Sequence, residues 1–144
     1  MTGVEFHFNA GDKLGYACRL LRKASRTGKR VAVTAEPALL RELDTVLWTF
    51  EPLEFVAHCM SGAPAMVLDA TPIVLCDAAR AAPHHDVLVN LGARVPEGFE
   101  RFERLIEVVA KGDDDRASGR ERWNHYKSRG YELKRIDLEA RQDG

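Results

Sequence analysis

Apolar residues occupy every second position from Val4 to Phe8, with polar residues between them. A period of two predicts a strand whose two faces meet different surroundings. Ala10-Gly11-Asp12 interrupts the alternation, and Asp12 is suited to cap a helix. Apolar residues then recur at helical spacing to about Arg26, and Thr27-Gly28 ends this predicted helix.

A second strand and helix follow directly. Residues 30–35 form a short, β-branched run, which predicts a strand buried on both faces. Pro37 is suited to the first turn of a helix, and the apolar stripe of that helix runs from Leu39 to near Trp48. Alternation of short apolar strands with helices predicts an α/β domain with a mainly parallel sheet and helices on both faces.

The rest of the chain is less regular. Three further strands are predicted where short apolar runs occur: residues 55–58, 72–76 and 87–91. Apolar residues from Phe99 to Val109 fall at helical spacing and predict a helix there. A last helix is predicted from its cap, Asp115, to about Arg129, with Gly130 suited to the C-terminal cap. Residues 131–136 alternate again and predict a final strand.

The 144 residues are 45% hydrophobic, which suits one compact domain and would crowd two. We therefore expect a single α/β domain over residues 1–138 and a frayed tail over residues 139–144.

No apolar run approaches the roughly 20 residues that span a bilayer. The N-terminus lacks the basic and apolar regions of a secretory signal. Cytoplasmic residence without a membrane partner is the expectation.

The three cysteines are far apart in sequence and lie among apolar residues. An odd number without paired spacing argues against a disulfide framework and a zinc site. Cys18, Cys59 and Cys76 are therefore expected to be buried free thiols.

Charge is distributed unevenly, although the formal net charge is only -1. Residues 12–30 carry seven Lys or Arg against one Asp, whereas residues 36–77 carry seven acids against one Arg. Residues 97–115 are again acidic and residues 116–135 again basic. This pattern predicts distinct basic and acidic faces, which steer charged partners. Overall neutrality argues against a dedicated duplex-DNA binder.

Motifs for catalysis or cofactors are incomplete. Gly28-Lys29 lacks the first glycine and the Ser or Thr of a phosphate-binding loop, and it precedes a strand instead of a helix. His84-His85-Asp86 has no third ligand at metal-binding spacing. His58 and Cys59 would point to opposite faces of a strand. We therefore expect no catalytic residue, metal or cofactor.

Three segments together resemble the chi subunit of bacterial DNA polymerase III. The first is the opening strand and Arg-rich helix, followed by residues 28–33 and the second helix. The second is residues 43–48 with residues 55–58, which resemble a helix ending in Leu-Trp and a Phe-x-Pro-His turn, although Ala57 replaces the family's frequent Pro. Residues 120–131 resemble the family pattern Arg-x-x-aromatic-x-x-Tyr-[Arg/Lys]-x-x-Gly-aromatic.

The resemblance implies a Rossmann-like α/β domain without enzymatic activity. Such a subunit joins the psi subunit of the clamp loader and binds the acidic C-terminal tail of single-stranded DNA-binding protein, so that nucleic acid is contacted only indirectly. The resemblance also implies a psi-subunit interface around an apolar, aromatic stretch that includes Trp48, Phe50, Phe55 and His58. The alternative is that these residues close the core beneath a loop.

The last predicted helix supports a tail-binding role on physical grounds. Arg116, Arg120, Trp123 and Lys127 occur at i, i+4, i+7 and i+11, which places them on one helical face. Cations pair with the carboxylates of an acidic peptide, and an indole anchors its apolar end. Asn124 stands where the family often has Lys. The alternative is a solvated helix face with Trp123 in the core.

Two further sets of residues have open interpretations. Tyr126 and Tyr131 belong either to the wall of the tail pocket or to the core beneath it. The basic first helix is a second candidate for acidic tails or an ordinary solvated face; its cations are Arg19, Arg22, Lys23, Arg26 and Lys29. Rival functions are a small α/β enzyme that uses the carboxyl ends of its strands, and direct binding of single-stranded nucleic acid through the basic faces and Trp123.

Overall fold

A computed structural model of the chain describes residues 1–49 and 56–141. Seven strands lie within these ranges: β1 Gly3–Ala10, β2 Val31–Thr34, β3 His58–Met60, β4 Ile73–Cys76, β5 Val87–Asn90, β6 Arg104–Ala110 and β7 Leu133–Asp137. Five helices accompany them: α1 Lys13–Arg26, α2 Pro37–Thr49, α3 Ala65–Ala70, α4 Asp113–Ser128 and α5 Leu138–Arg141. Short 3-10 turns occur at Ala79–Ala81 and Phe99–Arg101.

All seven strands form one sheet in the order β3-β4-β2-β5-β6-β1-β7, and every neighbouring pair is parallel. Parallel neighbours need crossover connections. Helices lie in these connections except from β4 to β5 and from β5 to β6, which contain the 3-10 turns. The prediction of a Rossmann-like α/β fold with a mainly parallel sheet is confirmed.

Helices cover both faces of the sheet, as predicted. On one face, buried residues of α1 and α2, such as Leu21 and Leu43, pack with Leu138 of α5 against Val89 and Ile106. On the other face, α4 packs through Tyr126, with the partly buried Trp123 beside it. Strands β2, β4 and β5 are buried along their whole length, which explains their continuous apolar sequences.

Local signals at the helix ends are mostly confirmed. The Asp12 carboxylate accepts a hydrogen bond of 3.1 Å from the backbone N–H of Gly15, as expected for an N-cap. Gly28 and Gly130 follow α1 and α4 with φ of 75° and 80°, a conformation in which a side chain would be strained. Asp115 is not the cap of α4, because that helix begins two residues earlier. Its carboxylate accepts hydrogen bonds from the Ala110 N–H and the Lys13 ammonium instead.

The helix predicted from Phe99 to Val109 is wrong. A 3-10 turn occupies Phe99–Arg101, and β6 begins at Arg104. Every residue from Leu105 to Val109 is buried, since β6 lies inside the sheet with helices on both faces. A strand that is apolar on both faces has no period of two, so apolar residues three and four apart imitate a helix.

The middle of the chain also differs from the prediction. The strand expected over residues 55–58 is His58–Met60, three residues that pair with β4, while Phe55 lies outside the described ranges. The short helix α3 was not predicted, because its six residues include none that is fully buried. Leu138–Arg141 forms α5 at the start of the segment expected to be frayed.

Candidate functional site

A pocket of about 360 Å³ lies between β1, β7 and α4. Its lining combines aromatic or small apolar residues with three arginines. The residues are Phe6, Phe8, Asn9, Val109, Arg116, Gly119, Arg120, Trp123 and Arg135. We call it the α4 pocket. Its lining residues carry three guanidinium groups and no carboxylate, so it presents positive charge over an apolar floor.

The floor of the α4 pocket comes from alternate positions of β1 and from one side of α4. Phe6 and Phe8 point to the same side of the sheet because they are two residues apart. The Trp123 ring meets the buried Phe6 ring edge-on, with 5.2 Å between centroids. Trp123 is half-buried, so packing fixes one part of the indole while the rest stays available in the pocket.

A glycine sets how closely α4 approaches the sheet. A Cβ at Gly119 would lie 3.0 Å from Cγ2 and 3.1 Å from Cγ1 of Val109 on β6. Such contacts are too short for well-packed carbons. A larger residue at this position would therefore push the helix away from the floor of the α4 pocket.

The rim of the α4 pocket carries its charge. Arg116 and Arg120 are exposed and form no ion pair with any residue in the described ranges. Arg135 on β7 lies over the Phe8 ring, 5.0 Å from its centroid, a favourable cation–π arrangement. Asn9 has a left-handed φ of 65° and donates a 2.9 Å hydrogen bond to Asp137.

A buried polar network supports the other side of α4. The Glu107 carboxylate on β6 accepts hydrogen bonds from Arg122 Nε at 3.0 Å, the Tyr126 hydroxyl at 2.5 Å and the Asn90 amide. Burial raises the pKa of Glu107, and the Arg122 guanidinium and these hydrogen bonds oppose that shift. The network ties α4 to β5 and β6, and it fixes the face that α4 turns toward the sheet.

Comparison with known sequences gives a family for this chain. The family described as DNA polymerase III chi subunit, HolC, matches residues 1–134. The chain belongs to the DNA polymerase III chi subunit family. DNA polymerase III subunit chi of Pseudomonas aeruginosa is 31% identical over an alignment of 138 residues that covers 92% of this chain and 94% of that protein. The Haemophilus influenzae subunit chi is 33% identical over 119 residues, 81% of each chain.

Membership of the chi family makes this chain a replication accessory protein. The Escherichia coli subunit chi is more distant, at 25% identity over 118 residues. The family implies an assembly with the DNA polymerase III holoenzyme.

The residues of the last helix that were predicted for tail binding divide into two groups. Arg116, Arg120 and Trp123 come together in the α4 pocket. Asn124 and Lys127 are exposed on α4 but do not line it.

The two tyrosines of this region also lie outside the pocket lining. Tyr131 is half-buried, with its ring 5.2 Å from that of Phe99. Tyr126 is fully buried, so of the two interpretations of this residue the core position is the observed one.

Six lining residues were not foreseen: Phe6, Phe8, Asn9, Val109, Gly119 and Arg135. Arg135 reaches the pocket only because β7 pairs with β1 as an edge strand. A period of two places Arg135 on the same face of its strand as Leu133. The neighbours of that strand in the sheet cannot be read from one sequence. The position of Arg135 over the Phe8 ring was therefore not predictable from the sequence.

The residues implied for the psi-subunit interface lie at the β3 edge of the sheet. Trp48, at the end of α2, is 56% exposed, and its ring lies 4.7 Å from that of His58. His58 is buried, with Nε2 3.0 Å from an Asp44 oxygen and Nδ1 2.7 Å from the Val56 carbonyl oxygen. Phe50 and Phe55 lie outside the described ranges.

No group of three or more His, Cys, Asp or Glu in residues 1–49 and 56–141 could hold a metal ion. No helix in these same ranges has the length and apolar character needed to cross a membrane. Cys18 and Cys76 are buried free thiols as predicted, whereas Cys59 is half-buried. Burial raises the thiol pKa of Cys18 to about 11 and that of Cys76 to about 12.

Proposed function

We propose that this chain is a non-catalytic adaptor of the replication machinery. In this proposal the α4 pocket holds the acidic C-terminal tail of single-stranded DNA-binding protein, and the surface around Trp48 holds the psi subunit of the clamp loader. Membership of the chi family supports the proposal. The geometry of the two surfaces supplies the physical argument for each partner.

The chemistry of the α4 pocket suits the end of an anionic peptide. Guanidinium groups pair with carboxylates in two-pronged hydrogen bonds, and a peptide's terminal carboxylate provides one more anion. Trp123 and the phenylalanines beneath it offer apolar area to an apolar side chain at the peptide end.

The observation that carries the proposal is the pairing state of the arginines on α4. Arg122 is 2% exposed and already bound to Glu107. Arg120, two positions away, is exposed and has no carboxylate partner in the described ranges. An unpaired guanidinium next to a half-buried indole is available for an anion from outside the chain.

A labelled tail peptide tests the α4 pocket. We expect Trp123→Ala or Arg120→Ala to weaken binding by about 1–3 kcal/mol, which is roughly 5- to 150-fold in Kd. Arg120→Ala should leave the thermal midpoint nearly unchanged, because that side chain is exposed. Trp123→Ala should lower it without unfolding the domain, because the indole also packs on Phe6. Fluorescence anisotropy of the peptide gives the affinity. The effect of Arg120→Ala should shrink with added salt, because exposed charges are screened.

Lys134→Ala is the matched control for the loss of a cation. Lys134 is exposed on β7 next to Arg135 but does not line the α4 pocket. Its removal should leave the peptide affinity within about 0.5 kcal/mol of wild type, the usual range for surface substitutions. Equal affinity of wild type, Trp123→Ala and Arg120→Ala would rule out the α4 pocket as the tail site.

The psi-subunit surface is tested by removing an exposed indole. Trp48 is 56% exposed and its ring rests on the buried His58, which gives it a fixed position from which to anchor a partner. We expect Trp48→Ala to weaken association with the psi subunit by about 1–3 kcal/mol, measured by titration calorimetry.

Met66→Ala controls for the loss of exposed apolar area, since Met66 is 81% exposed on α3. Met66→Ala should bind the psi subunit as wild type does. If Trp48→Ala bound it with unchanged affinity, the interface would lie elsewhere on the chain.

A further inference from the structure

A second and larger cavity, of about 840 Å³, lies on the opposite face of the sheet, beneath α1. We call it the α1 cavity. Its apolar wall is formed by residues of α1 and of strands β2, β5 and β6: Leu20, Ala24, Val31, Val87, Val89 and Ile106. Sites for small molecules are typically about 300–1,000 Å³ and mainly apolar. The α1 cavity therefore has the size and the lining of a ligand site.

A chain of hydrogen-bonded polar groups crosses this apolar wall. Arg104 donates to both carboxylate oxygens of Glu5, at 2.5 and 2.9 Å. Glu5 lies 3.2 Å from His7 Nε2, and His7 Nδ1 lies 2.5 Å from the Tyr16 hydroxyl. The side chains of Glu5 and His7 are only 13% and 5% exposed.

Such a chain is not explained by stability alone. Arg104 is half-exposed, and an ion pair that is partly in water adds little net stability, so an apolar wall would serve the fold equally well. Burial acts against the charged form of Glu5, but hydrogen bonds from Arg104 and His7 hold its pKa below the ordinary value. A few convergent polar groups in an apolar cavity are the usual composition of a ligand site.

The mouth of the α1 cavity is positively charged. Arg19, Lys23 and Lys29 line it and form no ion pair with any residue of the described part of the chain. Glu5 is the one carboxylate among its lining residues, and Arg104 already neutralises it. Lys23 in the last turn of α1 also complements the helix dipole. Arg19 and Lys29 lie outside that turn, so the dipole does not account for them.

We propose that the α1 cavity binds a small organic anion with an apolar body, such as a medium-chain carboxylate or an alkyl phosphate. The apolar body lies against Leu20, Ala24 and Ile136, which are only partly buried, and the anionic head meets the cations at the mouth. This site is separate from the α4 pocket and independent of the adaptor proposal, since the two lie on opposite faces of the sheet.

The probe for this site is 8-anilinonaphthalene-1-sulfonate, an aromatic anion whose fluorescence rises in apolar surroundings. With the full chain we expect saturable binding that decanoate and decyl phosphate both displace and decyltrimethylammonium does not. Lys23→Glu with Lys29→Glu should weaken probe binding at least tenfold; both lysines are exposed, so this variant keeps the fold. Ala24→Phe, which fills the cavity, should abolish the fluorescence rise.

Arg116→Glu with Arg120→Glu is the matched control, because it reverses the charge of the α4 pocket and leaves the α1 cavity intact. It should lose any probe bound in the α4 pocket, which is also cationic over an apolar floor, and keep binding at the α1 cavity with wild-type affinity. The proposal is overturned if the Lys23, Lys29 variant binds the probe with wild-type affinity, or if decyltrimethylammonium displaces the probe as well as decanoate does. Loss of binding in the Arg116, Arg120 variant would equally overturn it, by assigning the probe to the other pocket.

Discussion

Arginines two residues apart on α4 have opposite roles. Arg122 is buried and joined to Glu107, whereas Arg120 is exposed beside Trp123. A buried ion pair is held only by good geometry and further hydrogen bonds, and removal of one partner typically costs about 3–5 kcal/mol. Arg122 is therefore a structural residue, and Arg120 is free to serve a ligand. Amino-acid composition alone cannot distinguish the structural arginine from the exposed one.

His84 is a buried histidine whose ring nitrogens have no hydrogen-bond partner within residues 1–49 and 56–141. Burial, together with the nearby Arg30 charge, lowers its pKa below the ordinary 6.5. As the pH falls below about 6.5, the unfolded chain takes up this proton before the folded one does, so the free energy of unfolding decreases. When the pH falls from about 7.5 to 5.5, the free energy of unfolding of His84→Leu should therefore decrease less than that of wild type.

Urea unfolding at these two pH values measures the effect. His85→Leu is the control. His85 is exposed and its charge is the smallest of the effects on the pKa of His84, so its replacement should keep most of the pH dependence of wild type. A His84→Leu variant whose stability falls with pH as steeply as that of wild type would show that His84 does not carry the effect.

At the scale of elements, the contact of α4 with β6 determines the depth of the α4 pocket. Gly119→Ala would bring a Cβ to 3.0 Å from Cγ2 of Val109, so the helix or the Val109 side chain has to shift by a few tenths of an ångström. Overpacking of this kind typically costs about 1–3 kcal/mol. We expect a lower thermal midpoint and weaker tail-peptide binding, measured by calorimetry and anisotropy on the same sample.

Gly62→Ala is the control for adding a methyl group, because nothing lies within 4 Å of a Cβ at Gly62. It should leave both the thermal midpoint and the affinity close to wild type. If Gly119→Ala also left both unchanged, the close approach of α4 would not be what shapes the pocket.

Elements with one clear period were predictable from the sequence. The helix after Asp12 has one exposed and one buried face, and the strand at Val4–Phe8 alternates apolar residues with the polar but largely buried Glu5 and His7, so both periods are visible. The interior strand β6 shows no such period, because its residues are buried on both faces of the sheet. Arg116, Arg120 and Trp123 were predictable as one helical face. Arg135 was not, because its place depends on the pairing of β7 with β1.

At the scale of the whole molecule, the two proposed partner surfaces lie toward opposite edges of the sheet. Trp48 packs beside His58 of β3, the strand at one edge, and the α4 pocket lies over β1 and β7 at the other. Five strand spacings of about 4.8 Å separate β3 from β1, which is roughly 24 Å. Two partners at this distance can bind at the same time, as an adaptor requires.

The most direct test of the adaptor account uses the two tryptophans of the chain. Each gives one indole N–H resonance, and the two indoles belong to the two proposed surfaces. On titration of the folded chain with the acidic tail peptide, the Trp123 resonance should shift until saturation while the Trp48 resonance stays in place. A shift of the Trp48 resonance with an unchanged Trp123 resonance would contradict the α4 pocket as the receptor for the tail.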